Sequence, residues 1–294
     1  MKAILLINKN ARQMRKHRTE FVGSIVHKYP ELEIKIISPR KIRRAVSTAA
    51  LDGYQRIIVC GGDGTVATAA HVLAKTDTEL GIVPGGTTNS FARSLNLPLD
   101  ISDAFHHALT ADASPTNLGS VNGNYFISVS ALGLSEQVAS TIPDSLKKTL
   151  GRTSYIIWGI VQFFINEPLT VSIEADGEKH EYITHQLVVA NARLHGSLPV
   201  AKGASAYKDE LVLLSFGKDG SKLRHLKNLI LYSRSKHDDS PGVVLLRGTE
   251  FVLSTGSRRK VEVDGEVVTQ TPATFSLEKD ALNIVAGSKQ ATKR

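Results

Sequence analysis

Residues 57–65 read IIVCGGDGT, an apolar strand that runs directly into Gly61-Gly62-Asp63-Gly64-Thr65 and then into a helix-compatible stretch from Val66 to Lys75. A strand that ends in glycines and opens a helix lets backbone N–H groups approach phosphate oxygens with no Cβ in the way. An acidic side chain inside such a loop would by itself repel a phosphate. It makes sense where it positions a Mg²⁺ ion or takes a proton from an attacking hydroxyl. The same residues also read as a plain glycine-rich turn with a solvated Asp63, and the segment alone does not separate the two.

Working outward, apolar runs at Lys2–Ile7, Leu32–Ile37, Arg56–Cys60 and Leu80–Val83 alternate with polar helical stretches at Gln13–Lys28, Ile42–Leu51 and Val66–Lys75. Continuous apolar strands between amphipathic helices predict a parallel sheet covered on both faces, an α/β domain of three layers. Ligands of such sheets bind at the carboxyl ends of the strands. A second glycine-rich segment, Pro84-Gly85-Gly86-Thr87-Thr88-Asn89, lies at the next such end, where Thr87 and Asn89 add a hydroxyl and an amide to the backbone donors. Two such loops on neighbouring strands could embrace one polyphosphate.

The pattern changes near residue 115. Val121-Asn122-Gly123-Asn124-Tyr125 is a hairpin signal, and short strands follow at Leu169–Ala175, Gln186–Asn191, Leu211–Phe216, Val243–Leu246, Glu250–Ser254, Lys260–Val263 and Thr274–Leu277. Only Asp144–Ile165 and Leu223–Arg234 read as helical here. The expectation is an α/β nucleotide-binding domain over 1–115, an antiparallel β-sandwich over 116–286 and a frayed basic tail over 287–294.

A chain of 294 residues with 41% hydrophobic and 22% charged residues is an ordinary globular protein, which excludes disordered and fibrous classes. MKAILLINKN reads as a first strand rather than a signal peptide. The longest apolar run, Tyr155–Ile165, is about half of the ~20 residues that span a bilayer. It suits either a core helix or a lipid-facing wall flanked by Lys147, Lys148 and Arg152. The one cysteine, Cys60, excludes internal disulfides, reads as a buried structural thiol and points to a cytoplasmic compartment. A net charge of +8 falls in clusters, among them Arg12, Arg15, Lys16 and Arg18; Arg40, Lys41, Arg43 and Arg44; and Arg258, Arg259 and Lys260. Such a balance suits phosphate-bearing ligands or an anionic membrane surface. No aromatic-interleaved module speaks for nucleic acid.

A third segment, Val261-Glu262-Val263-Asp264-Gly265-Glu266, reads as a turn at Asp264-Gly265. It also reads as a device that projects Glu266 into an interdomain cleft opposite Asp63, where a carboxylate could accept a proton or complete a Mg²⁺ shell.

With these segments in hand the chain resembles the diacylglycerol kinase catalytic family, which includes bacterial lipid kinases, sphingosine kinases and ceramide kinases. The carrying residues are GGDGT (61–65), GIVPGGTTNSFARSLNLP (81–98), NLGSVNGNYFISVSALGL (117–134) and VEVDGE (261–266). The resemblance implies ATP-dependent phosphoryl transfer to a lipid hydroxyl, with Mg²⁺, by a protein that visits the membrane surface. It implies that Asn8, Gly62, Gly64, Thr65, Thr87 and Asn89 bind ATP, that Asp63 is catalytic, and that Glu266 is the proton acceptor. It further implies a structural Mg²⁺ held by Asp209 and the carbonyls of Ala206 and Leu211.

There are departures from the family pattern. Ala67 and Thr68 stand where Asn-Glu is usual, Ser90 and Asn117 each stand for an Asp, and DGxLD is reduced to Asp209-Glu210-Leu211-Val212-Leu213. Fewer carboxylates also fit a weakly active or inactive member that binds nucleotide or lipid. NAD kinases share a GGDGT loop and a β-rich second half, and remain an alternative.

Overall fold

The computed structural model describes residues 1–13, 18–133, 141–143, 145, 168–195, 198–199, 203–216 and 243–286. The N-terminal part alternates strand and helix: β1 (Ala3–Asn8), α1 (Arg18–Lys28), β2 (Glu33–Ile37), α2 (Ile42–Leu51), β3 (Arg56–Gly61), α3 (Asp63–Leu73), β4 (Glu79–Pro84), α4 (Ser90–Ser94) and α5 (Ile101–Thr110). The remainder begins with β5 (Ser114–Val121), β6 (Asn124–Phe126), β7 (Val129–Gly133), β8 (Leu169–Ala175), β9 (Glu178–Thr184) and β10 (Gln186–Ala190). The short pair β11 (Leu194–His195) and β12 (Leu198–Pro199) follows, then β13 (Leu211–Phe216), β14 (Val243–Gly248), β15 (Glu250–Thr255), β16 (Lys260–Val263), β17 (Glu266–Gln270) and β18 (Ala273–Ile284).

Strands β2-β1-β3-β4 pair in that order and in parallel. Their side chains alternate between two buried faces, as the unbroken apolar runs predict. Ile4, Leu6, Ile57 and Val59 pack under α2 and α3, through Val46, Ala69 and Leu73 among others. Leu5, Ile7, Ile58 and Cys60 pack on the opposite side against Phe21 and Ile25 of α1 and Phe105 of α5. Helix, sheet, helix is the three-layer domain expected. Cys60 is fully buried, and burial pushes its thiol up to about 12, which leaves it an inert packing group.

The C-terminal part is an antiparallel sandwich. One layer is the sheet β14-β13-β10-β7-β16-β17. The other is an extension of the first sheet through β18, β15, β8 and β9. Leu187, Val189, Leu211 and Leu213 from one layer meet Val171, Ile173, Phe251 and Phe275 from the other.

The two regions share a strand, which the sequence reading does not anticipate. The early half of β18 pairs antiparallel with β15 at Phe275–Phe251, and its end pairs parallel with β4 at Ile284–Leu80. Phe275 therefore belongs to the sandwich core and Leu282 to the core of the α/β domain.

Helix boundaries differ in places. The helix expected from Val66 begins at Asp63, because the Gly62 carbonyl already accepts Thr65 N–H at 2.9 Å and Val66 N–H at 3.1 Å. The helix expected from Gln13 is described from Arg18. Helix α5 is an addition, started by Asp100, whose carboxylate accepts Ser102 N–H at 2.8 Å and Asp103 N–H at 3.1 Å. The expected helices at 144–165 and 223–234, the run Tyr155–Ile165 with Lys147, Lys148 and Arg152, and the tail 287–294 lie outside the described residues.

Because β18 carries both cores, Phe275→Ala should cost about 3–5 kcal/mol and loosen the α/β domain as well. Hydrogen exchange followed by mass spectrometry should find protection falling in β4 together with β15. A loss confined to β15 and β8 would mean that the domains are independent.

Candidate active site

The loops after β3 and β4 meet backbone to backbone. Strand pairing sets Gly61 beside Pro84, and Gly85 N–H donates to the Gly61 carbonyl at 2.8 Å. A Cβ at Gly86 would lie 2.4 Å from Gly62 Cα, and one at Gly62 would lie 3.2 Å from Gly86 Cα. Gly86 has no room for a side chain, and at Gly62 even a methyl group would be tight. Gly64 differs, since a Cβ there would meet nothing within 4 Å. It faces open space, where a ligand would come.

That space is a cleft of about 420 Å³. It is lined by Asn8, Asn10, Ala11 and Arg12 after β1, by Pro39 and Ile42, by Gly62, Gly64, Thr65 and Thr68, by Gly86 and Thr87, and by Glu266. Five of the expected nucleotide residues and the expected proton acceptor thus share one cavity. Glu266 is exposed at the start of β17, so the sandwich supplies one wall of a cleft that the α/β domain builds.

The cleft is arranged for an anion. The intrahelical bonds of α3 begin with Thr65 N–H onto the Gly62 carbonyl, so the amides of Asp63 and Gly64 precede them, at the positive end of the helix dipole on this wall. Asn8 is held at both ends: its Nδ2 donates to Thr65 Oγ1 at 2.8 Å, and its Oδ1 accepts Asn10 N–H at 2.9 Å. With its oxygen accepting from Asn8, the Thr65 hydroxyl keeps its own hydrogen for another acceptor, and Thr65 lines the cleft. Arg12 adds a guanidinium at the rim.

Two expected residues stand behind the wall instead of on it. Asn89 has a left-handed backbone (φ 49°), and its side chain accepts Gly86 N–H at 2.9 Å and donates to the Gly86 carbonyl at 3.2 Å. Its amide shapes the second loop. Asp63 is not a free loop-tip carboxylate: Oδ2 accepts from Thr88 Oγ1 at 2.7 Å and Ser90 Oγ at 3.4 Å, and Oδ1 accepts Phe91 N–H at 3.1 Å. It caps the start of α4 from the neighbouring loop and ties the two loops together.

Asp264, which the sequence reading reduces to a turn, is a clamp between distant segments. Its left-handed backbone (φ 48°) begins the turn before Glu266. Its carboxylate accepts N–H bonds from Ile127 at 2.9 Å, Ser128 at 3.0 Å and Val129 at 3.2 Å. In return Asp264 N–H donates to the Val129 carbonyl at 2.9 Å. The β16–β17 turn is thereby fastened to the entry of β7. Burial pushes the carboxyl up to about 6, against the pull of those three N–H groups, and the negative charge of Asp63 adds to the rise. A carboxylate taking several adjacent N–H groups needs a distant partner, and no local pattern in VEVDGE names it.

The expected structural metal site is differently furnished. Among the described residues no three His, Cys, Asp or Glu side chains gather to hold a metal. The Asp209 carboxylate lies 2.9 Å from Lys279 Nζ, and the Ala206 carbonyl accepts Asn117 N–H at 2.8 Å. Leu211 is buried at the start of β13. Of the expected ligands, the Asp209 carboxylate thus already faces an ammonium and the Ala206 carbonyl an N–H, each of which would compete with a cation for those oxygens.

Gly86→Ala should destabilise the protein, whereas Gly64→Ala in the first turn of α3 should leave the melting temperature unchanged or raised, since Ala is favoured over Gly in a helix by about 0.5–1 kcal/mol. Equal losses in thermal unfolding would remove the distinction between the two glycines. Asp264 makes a pH prediction. Its folded pKa lies above the reference value of 3.8, so its contribution is greatest at low pH and is lost as pH rises through about 6. The stability difference between wild type and Asp264→Asn, measured in urea, should therefore shrink between these limits. A difference that grows with pH would reverse the assignment.

Comparison with known proteins agrees with this architecture. Residues 2–121 match the family model of the diacylglycerol kinase catalytic domain, and residues 128–286 match the YegS C-terminal NAD kinase beta sandwich-like domain. Diacylglycerol kinase of Bacillus subtilis (strain 168) is 28% identical over 234 residues, covering 79% of this chain and 77% of the relative. Diacylglycerol kinase of Staphylococcus aureus (strain Newman) is 29% identical over 231 residues, covering 76% and 72%. A crystal structure of a diacylglycerol kinase from Bacillus anthracis str. Sterne aligns with a TM-score of 0.76 at 22% identity, over 97% of this chain and 96% of that one. Another chain from that organism aligns at 0.82 and 23%, over 97% and 95%. At these identities the structural likeness carries the fold. The sequence matches carry more: this chain belongs to the diacylglycerol kinase family, with the family's catalytic domain followed by its NAD kinase-like β-sandwich.

Proposed function

We propose that the protein is an ATP-dependent lipid kinase that transfers the γ-phosphoryl group to the hydroxyl of a diacylglycerol-like or sphingosine-like lipid. The observation that carries this reading is the convergence of the α3 N-terminus, the 86–87 turn and Glu266 on one cleft. On this reading residues 1–115 bind the nucleotide, residues 116–286 bring the acceptor side, and residues 287–294 are a basic tail. The names of the curated relatives support a lipid acceptor.

The polyphosphate would lie along Gly62–Thr65 and Gly86–Thr87, with Asn8 orienting the Thr65 hydroxyl and Arg12 at the rim. Glu266 would take the proton of the acceptor hydroxyl as its oxygen bonds to the γ-phosphorus. The bond to the bridging oxygen then breaks and ADP leaves. Such transfers depend mostly on positioning and charge stabilisation. Mg²⁺ carried on the nucleotide would supply charge neutralisation, and Glu266 is the carboxylate lining the cleft that could hold it. Asp63 would act mainly by holding Thr88 and α4 against the first loop, and is the reserve candidate for the base.

The acceptor is a lipid, so the protein must reach a bilayer. Among the described residues no helix is long and apolar enough to cross one. Exposed Arg40, Lys41, Arg43 and Arg44 lie beside Pro39 and Ile42 of the cleft, and Arg258 and Arg259 are exposed near β16. They suit peripheral docking on anionic lipid, each worth about 1 kcal/mol near the surface. The NAD kinase-like description of the C-terminal domain supports a second reading in which NAD is the acceptor.

Incubation with γ-labelled ATP, Mg²⁺, a panel of lipids in anionic vesicles and NAD separates these readings. Label should enter a lipid. Label in NAD would establish the second reading, and label in neither would leave a nucleotide- or lipid-binding protein. Glu266→Gln should lower the lipid rate at saturating ATP by ~10²-fold or more, with ATP affinity in calorimetry nearly intact. A Gln variant with wild-type rate would remove Glu266 as the base.

A further inference from the structure

Strand β18 does not pair evenly with β5. Glu278 lies opposite Leu118 and Leu282 opposite Thr116, so Lys279, Asp280 and Ala281 together face Asn117. Bulges of this kind re-aim side chains and recur beside functional sites. Here Asp280, with a left-handed backbone (φ 50°), turns its N–H onto Asn117 Oδ1 at 2.9 Å. A backbone N–H can only donate, which settles the end of the Asn117 amide that is oxygen. The amide nitrogen therefore faces the Lys208 carbonyl at 2.8 Å and Asp209 Oδ1 at 3.4 Å.

The main chain of Asn117 is tied as firmly. Its N–H donates to the Ala206 carbonyl at 2.8 Å, and its carbonyl accepts Asn191 Nδ2 at 3.1 Å. The residue is 4% exposed. The second side chain of the bulge, Lys279, donates to Asp209 Oδ2 at 2.9 Å. The Ala206 and Lys208 carbonyls and the Asp209 carboxylate thus already meet N–H groups of the chain itself.

We propose that this chain closes its 206–211 turn with an internal amide and an internal cation, Asn117 and Lys279, in place of a divalent metal, and that asparagine at 117 decides this. A dication here would confront an ammonium within hydrogen-bond distance of the same carboxylate. It would also compete with the Asn117 main-chain N–H for the Ala206 carbonyl and with the Asn117 amide for Asp209 Oδ1. A carboxylate at 117 reverses the pattern. Its oxygen would face the Lys208 carbonyl and Asp209 with no hydrogen between them, an arrangement that a cation satisfies. Lys279 and Asp209 are both more than half exposed, so their ion pair alone stabilises little. The buried amide is the stronger element.

Thermal unfolding of the full chain, stripped with EDTA and then titrated with MgCl₂, tests this in wild type, Asp209→Asn and Asn117→Asp. The Mg²⁺ responses of wild type and Asp209→Asn should agree to about 1 °C. Asn117→Asp should melt lower in EDTA and recover several degrees with Mg²⁺. A wild-type Mg²⁺ response that Asp209→Asn abolishes would overturn the proposal, and so would a folded Asn117→Asp protein that gains no more from Mg²⁺ than wild type. If Asn117→Asp does not fold even with Mg²⁺, the comparison of wild type with Asp209→Asn decides alone.

Discussion

The contact between Gly62 and Gly86 is the constraint on which the candidate site depends. Two main chains lie so close that a single Cβ at Gly86 would fall 2.4 Å from Gly62 Cα. That approach brings the first turn of α3 beside the 86–87 turn, so that donors from two strand ends address one volume. It also brings Asp63 within reach of Thr88 and Phe91, and those bonds in turn hold the loops together. A glycine motif often read as mere flexibility is here a requirement of contact. Gly64 alone of the three has open space at its Cβ position.

The second condition is the approach of the sandwich. Glu266 is far from the glycine loops in sequence, and two features bring it to them. Strand β18 enters the parallel sheet beside β4 and makes one ladder out of two regions. Asp264 then fastens the β16–β17 turn to the start of β7 through three backbone N–H groups. A carboxylate that takes several N–H groups from one short segment acts as a clamp, and Glu266, two residues further on, lines the cleft.

Much of this was legible in the sequence, and the reason is local. Parallel strands buried on both faces are continuous apolar runs, and the strand–glycine–helix transition at 57–65 is a local pattern. The sequence places the start of α3 three residues late, because Asp63 and Gly64 look like loop while the Gly62 carbonyl has already begun the helix. Helix α5 has a local signature as well: Asp100 caps it, and Ala104, Phe105 and Ala108 mark its buried stripe. What could not be read were the long-range contacts. Nothing near Asp63 says that Thr88 will hold it, nothing in VEVDGE points to 127–129, and the lysine that meets Asp209 lies 70 residues away. Spacing reveals periodicity within an element, whereas these contacts follow from how elements are stacked.

The central claim is that one cleft, built by two glycine loops and closed by a residue of the sandwich, holds a nucleoside triphosphate for transfer. The most direct measurement is a crystal structure with a non-hydrolysable ATP analogue and Mg²⁺. The account predicts phosphates along Gly62–Thr65 and Gly86–Thr87, with the Glu266 carboxylate on the side of the γ-phosphate. Phosphates bound elsewhere, or Glu266 turned to solvent away from an occupied cleft, would contradict it.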